Sequence, residues 1–305
     1  MKKTLIGTAI ALAMSGSAFA ETDVGGQIRF GLQNTDELEA VSGKLVINFK
    51  GMEDLGNGLE FSYGIEFEND SADKETNQFH NDKSWIAIGG DFGKIIGGEY
   101  GDFAGFACGG TDLYNYAGSI ACDTVHNTSP ADAVQYRGSF GMVNVGAAIT
   151  FDATGPTAPS TTRDDVSHTL FGLQVNIGDD ISIGAQMVNA SENGGIGGVP
   201  ADETGTQIGG TWNIMGSGFV LGATLADDSD DDATGIAIQM PLGGMSVAVS
   251  AESGDALKKT AGGESVHASI GSRLGSSEDA YWGAEFHDYD ELDDESITVY
   301  MGTNF

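Results

Sequence analysis

The chain has 305 residues, with 13 Lys and Arg against 45 Asp and Glu, a net charge of −32. That acidity excludes a nucleic-acid partner, because binding to a polyanion draws its energy from basic side chains that displace counterions. No segment approaches the ~18 consecutive apolar residues of a transmembrane helix, and the abundance of Gly (47) over Pro (5) points to strands joined by turns.

Residues 1–20 read as a secretory signal peptide. Lys2 and Lys3 form a basic start, Leu5 and its successors to Met14 an apolar run, and Ala18-Phe19-Ala20 a small-x-small cleavage site. The expected mature chain is one domain, residues 21–305, starting at Glu21. A retained N-terminal anchor is the bland alternative, and the shortness of the apolar run argues against it.

The first expected strand runs from Val24 to Gln33. Val24, Ile28, Phe30 and Leu32 share one face, with Gln27, Arg29 and Gln33 on the other. The second, Gly43 to Lys50, sets Leu45, Ile47 and Phe49 against Lys44, Asn48 and Lys50. In the third, Leu59, Phe61, Tyr63, Ile65 and Phe67 alternate with Glu60, Ser62, Gly64, Glu66 and Glu68. Large apolar residues on every second position suit a lipid-facing surface. Taken singly, each strand fits a sandwich equally well. Further on, Val143, Val145, Ala147, Ile149 and Phe151 alternate in the same way, as do Phe171, Leu173, Val175 and Ile177. Met245, Val247, Val249 and Ala251 are a weaker set, and Ile297, Val299, Met301, Thr303 and Phe305 complete the series.

The rhythm of connections separates barrel from sandwich. Tight connections are expected at 51–58, 91–93, 138–141, 178–180, 215–218, 241–244 and 274–279. Long ones are expected at 34–42, 69–82, 100–132, 152–165, 191–204, 227–233, 252–263 and 289–294. Seven tight and eight long connections join sixteen strands. Short turns on one side and long loops on the other mark an all-β, sixteen-stranded antiparallel transmembrane barrel, wide enough to hold water. Cys108 and Cys122 lie in the longest loop. In an exported chain one disulfide between them is expected, free thiols being the alternative.

Two stretches are more specific. Gly51-Met52-Glu53-Asp54-Leu55-Gly56-Asn57-Gly58-Leu59-Glu60 resembles the first periplasmic turn of the Gram-negative general diffusion porins, and Gly90-Asp91-Phe92-Gly93-Lys94 resembles their second turn. A terminal aromatic, here Phe305, is that family's outer-membrane assembly signal. Thr303 departs from the pattern, which often has an aromatic there, and the third long loop lacks the family's commonest Pro-Glu-Phe-Gly.

The resemblance implies a homotrimer in the outer membrane, in contact with lipid and lipopolysaccharide, that passes ions and small hydrophilic solutes. It also implies that the third loop, 100–132, folds inward, with its acids facing bases on the wall. The acidic candidates are Glu99, Asp102, Asp112 and Asp123. The wall candidates are Arg29, Lys44, Lys50 and Arg137, with Glu60, Glu66 and Glu68 adding lumen acids. Acids in such excess favour cations weakly, since a wide pore leaves ions hydrated.

Asp227, Asp228, Asp230, Asp231 and Asp232 form an acidic outer cluster. Dense carboxylates suit calcium, but the cluster lacks EF-hand spacing and also reads as plain solvated charge. No other cofactor is indicated. A substrate-specific channel, for example for sugars, would share this layout. An outer-membrane barrel enzyme would need a catalytic set, and the chain has no Gly-x-Ser-x-Gly and histidines far apart in sequence at 80, 126, 168, 267 and 287. A closed adhesive barrel would have fewer strands.

Overall fold

The computed structural model describes residues 21–34, 38–70, 80–100, 106–107, 133–151, 166–190, 203–227, 232–255, 263–274, 279–289 and 294–305. Sixteen strands follow in chain order: β1 (Glu21–Asn34), β2 (Leu38–Gly56), β3 (Leu59–Asp70), β4 (His80–Gly90), β5 (Gly93–Glu99), β6 (Ala133–Phe140), β7 (Val143–Phe151), β8 (Val166–Ile177), β9 (Ile181–Ala190), β10 (Thr204–Asn213), β11 (Val220–Asp227), β12 (Asp232–Leu242), β13 (Met245–Ser253), β14 (Glu264–Arg273), β15 (Ala280–Tyr289) and β16 (Asp294–Asn304). Each pairs antiparallel with its neighbours, and β1 pairs with β16, so the sheet closes into a barrel with no free edge. Closure satisfies every strand's backbone groups internally, which hydrocarbon demands.

The apolar faces point outward. Val24 is 59% exposed, Ile86 58% and Ile236 60%, a pattern that only a lipid solvent makes favourable. Aromatics gather at the short-turn end of this surface. Phe92 lies in a turn, Phe140 and Trp212 immediately precede turns, and Phe305 ends the chain; all four are exposed. The Tyr136 hydroxyl donates to the Phe92 carbonyl at 2.5 Å, and the hydroxyls of Tyr63 and Thr22 share a hydrogen bond of 2.7 Å. Amphipathic rings in such a band suit the level of lipid headgroups.

Phe305 seals the barrel seam. The Gly26 amide donates to its carbonyl at 2.9 Å and its own amide donates back to Gly26 at 3.1 Å. The Phe305 ring lies over Gly26, where a side chain would collide with it.

Two expected connections differ. The expected long connection at 34–42 is a hairpin, because β1 and β2 remain paired up to Asn34 opposite Leu38. The expected turn at 51–58 shrinks to Gly56-Asn57-Gly58, with β2 still paired to β3 through Asp54 opposite Glu60. In both places the backbone ladder outlasts the hydrophobic alternation, since pairing requires N–H and C=O groups rather than apolar side chains. The reversal uses three consecutive positive φ angles, 80° at Gly56, 56° at Asn57 and 78° at Gly58, which Gly and Asn tolerate.

Candidate functional site

The inward faces carry the chemistry. On β1 and β2, Arg29 and Lys44 sit directly opposite one another, and Lys50 shares the Lys44 face three pleat repeats further on toward the short-turn end. Glu60, Glu66 and Glu68 line the same side on β3. The register then sets cation against anion. Lys44 pairs with Glu68 at 2.7 Å, Lys83 with Glu66 at 2.7 Å and with Asp82 at 2.9 Å, and Lys94 with Glu60 at 3.6 Å. These pairs are partly exposed, so each contributes at most about 1 kcal/mol to stability. Their larger effect is to cancel much of the positive charge on this wall.

Arg137 on β6 is held differently. Its guanidinium lies 5.2 Å from the centre of the Tyr100 ring and 5.9 Å from that of Phe106. Trp85 meets Tyr100 edge-on at 4.8 Å. Cation–π contact restricts where this charge can go while leaving it charged. A cavity of about 1130 Å³ lies against this group, lined by Glu60, Lys94, Tyr100, Phe106, Arg137 and Gln174 among others, and it reaches the turn residues Gly58 and Asp91 at the short-turn end.

The opposite arc is neutral. From β7 to β11 the described strand interiors present Asn144, Gln174, Gln186, Gln207 and Thr224 inward. Asn144 donates to Gln174 at 2.9 Å and Gln186 to Gln207 at 2.7 Å. Among the described residues the lumen is therefore asymmetric, with Lys and Arg side chains concentrated on β1–β6 and the buried acids Glu252 and Glu285 on β13 and β15.

Farther round, the histidines that are distant in sequence meet. His267 and His287 are opposite each other on β14 and β15, their Nδ1 atoms 2.7 Å apart. Ser265 lies 2.9 Å from His267 Nε2, and Glu285 lies 3.6 Å from His287 Nε2. Ser265 is 2% exposed, His267 1%, His287 3% and Glu285 1%. A serine shielded to this extent has no room for a substrate carbonyl, so the chain of contacts acts as packing rather than as a nucleophile.

The wall residues Arg29, Lys44, Lys50, Arg137, Glu60, Glu66 and Glu68 thus all fall on the inward face, as alternation implies. Glu99 ends β5, half-buried and opposite Ser84, just after Gly98 in the left-handed region (φ 102°). Asp102, Asp112 and Asp123 lie outside the described residues, as do Cys108 and Cys122. Of the acidic outer cluster, Asp227 and Asp232 face each other where β11 meets β12, and Asp232 accepts a hydrogen bond from the Asp255 amide at 3.1 Å. Asp228, Asp230 and Asp231 lie outside the described residues. Sequence reasoning missed Lys83, Lys94, Trp85 and Tyr100. Lys83 and Lys94 carried a usable signal, since Lys83 is out of phase with the outward Ile86 and Ile88 and Lys94 directly precedes the outward Ile95, but their acid partners depend on strand register.

A sequence model of the Gram-negative porin family matches residues 7–291. The chain belongs to this family. Porins are outer-membrane barrels, which accords with the apolar exterior. This porin is 32% identical over 109 residues to the major outer membrane protein P.IB of Neisseria meningitidis serogroup B, and 33% identical over 113 residues to that of Neisseria gonorrhoeae. The first match covers 31% of this chain and 32% of the relative, the second 32% of each, so the porin aligns with about a third of these curated relatives' length. Among solved structures it resembles OmpF of Salmonella typhi, in a complex with daunomycin, at TM-score 0.73 and 14% identity over 94% of this chain and 98% of that one. A loop-deletion mutant of OmpT, an outer membrane protein of Vibrio cholerae, gives 0.67 at 14% identity, covering 94% and 99%. A mutant of the Rh. blastica porin gives 0.68 at 15% identity, covering 93% and 100%. At such identities these likenesses establish the shared fold.

Proposed function

We propose that this porin is a trimeric general diffusion pore that passes ions and small hydrophilic solutes with a weak preference for cations. The observation that carries this reading is the closed sixteen-strand barrel with a charged inward face and a sizeable cavity beside it. Cation preference is supported by charge. The chain is strongly acidic, and Lys44, Lys83 and Lys94 are already neutralised by Glu68, Glu66, Asp82 and Glu60. Glu99, Asp102, Asp112 and Asp123 would form the acidic side of the constriction, facing Arg29, Lys44, Lys50 and Arg137. Outer acids and lipopolysaccharide would meet at the rim. The mature porin would begin at Glu21, and a Cys108–Cys122 bridge would stiffen the third loop.

A sugar-specific channel would present flat aromatic faces to its solute. Tyr100 and Phe106 instead turn rings toward Arg137, and Trp85 packs on Tyr100. General diffusion is therefore the better reading.

Planar-bilayer recording under a salt gradient tests it. Openings in steps of three, with a reversal potential on the cation side, are expected. Folded, heat-modifiable protein that passes no current would overturn the channel itself. If Asp112→Asn combined with Asp123→Asn leaves the reversal potential where it was, those acids lie away from the constriction.

A further inference from the structure

Three glycines on the neutral arc have a use that strand pairing does not explain. Gly172, Gly184 and Gly209 lie on the inward faces of β8, β9 and β10. Gly184 sits directly opposite Gly209, and Gly172 is one pleat diagonal from Gly184. A Cβ on Gly184 would overlap the carbonyl oxygen of Phe106, a Cβ on Gly209 the carbonyl oxygen of Ala107, and a Cβ on Gly172 the ring of Phe106. The Phe106–Ala107 segment therefore crosses three strands in contact with bare backbone. It is well covered there, Phe106 at 7% and Ala107 at 1% exposure.

The surroundings hold the segment in place. Hydrogen-bonded Gln186 and Gln207 stand one row beyond Gly184 and Gly209, while Gln174 and Asn144 continue the glycine row toward β7. Phe106 lies between Gly172 and the Arg137 guanidinium, and Arg137, Gly146 and Gly172 occupy one cross-strand row. Toward the long-loop end the next row also faces inward: Ala87, Ile96, Gln135, Ala148, Leu170 and Val188, each no more than 3% exposed. Apart from Gln135 this row is apolar, and it is covered although it lies on the inward side of the barrel.

We propose that Gly172, Gly184 and Gly209 form a backbone seat that fixes how far the Phe106–Ala107 segment projects into the lumen, and so sets the cross-section of the pore. This rests on the diffusion-pore reading. Protein interiors do not absorb an added methyl without movement. At Gly184 and Gly209 the group in the way is backbone carbonyl, which cannot rotate aside as a side chain does. The segment must lift toward the pore axis, and a narrower pore conducts less.

Single-channel recording on the refolded full-length porin tests the seat. Gly184→Ala and Gly209→Ala are expected to lose unitary conductance and to exclude neutral sugars that the parent admits. Gly97→Ala is the control, because its new Cβ would meet only an Ile86 side-chain carbon at 3.9 Å. Unchanged conductance in both seat variants, with heat-modifiable barrels, would overturn the proposal. If the seat variants do not assemble, Phe106→Ala decides. It removes the ring wedged over Gly172, so conductance should rise, and parental conductance would overturn the seat. A parent that passes no current at all would instead defeat the diffusion-pore reading.

Discussion

His267 illustrates how one lumen side chain ties several strands together. It contacts Ser265 on its own strand and His287 on the next, with almost no solvent around it. Removing it leaves buried polar groups without their partner, which costs about 1–3 kcal/mol per site. His267→Ala is accordingly expected to lower the urea midpoint of the barrel in lipid vesicles, with conductance retained in whatever fraction folds. Arg137 is a contrasting case. Its guanidinium lies over aromatic rings and donates to Gln135 Oε1 at 3.4 Å, so Arg137→Gln, which keeps a hydrogen-bonding side chain there, removes a fixed positive charge beside the cavity. The reversal potential is expected to move further toward the cation side. A shift toward the anion side would place that charge outside the conduction path.

At the level of the strand, the governing fact is which face meets lipid. Ile236, near the middle of β12, is 60% exposed. A charge there meets hydrocarbon, and Ile236→Arg is expected to cost about 2–4 kcal/mol. Gln174→Arg on the inward face of β8 should cost far less, because water reaches it. Equilibrium unfolding of both variants in the same bilayer distinguishes the two faces, and equal costs would contradict the outward assignment. Strand facing was legible in the sequence because alternation has a period of two, and Leu59 through Phe67 display it without interruption. Strand ends were less legible. Residues 38–41 lose the apolar rhythm while their backbone stays paired with β1, so a pattern of side chains stops before the ladder does.

For the whole molecule the relevant quantity is the distribution of charge around the barrel. Described Lys and Arg residues lie mainly on β1–β6, joined by Arg273 on β14, while the described inward faces of β7–β11 carry amides, hydroxyls, apolar side chains and the buried His168, with no Lys, Arg, Asp or Glu among them. Such a field acts on ions that keep their water, over distances comparable to the ~8–10 Å screening length at physiological salt. The cation preference is therefore expected to shrink as salt rises from about 0.1 M to 1 M, where screening acts within about 3 Å. Reversal potentials at a fixed gradient ratio measure this. A preference independent of salt would indicate a narrow, dehydrated filter instead of a wide pore.

The sequence by itself determined the strand count and the alternation of outward and inward faces. These follow from local alternation and the spacing of turns, and local rules need no knowledge of distant residues. The tertiary structure decided who meets whom. The pairing of Lys83 with Glu66, the meeting of His267 with His287, and the Phe106–Ala107 segment on Gly172, Gly184 and Gly209 each depend on strand register and on closure of the ring. The glycines are the clearest case. In the sequence they read as weak points in strands, and only a segment arriving from β5 gives their missing side chains a purpose.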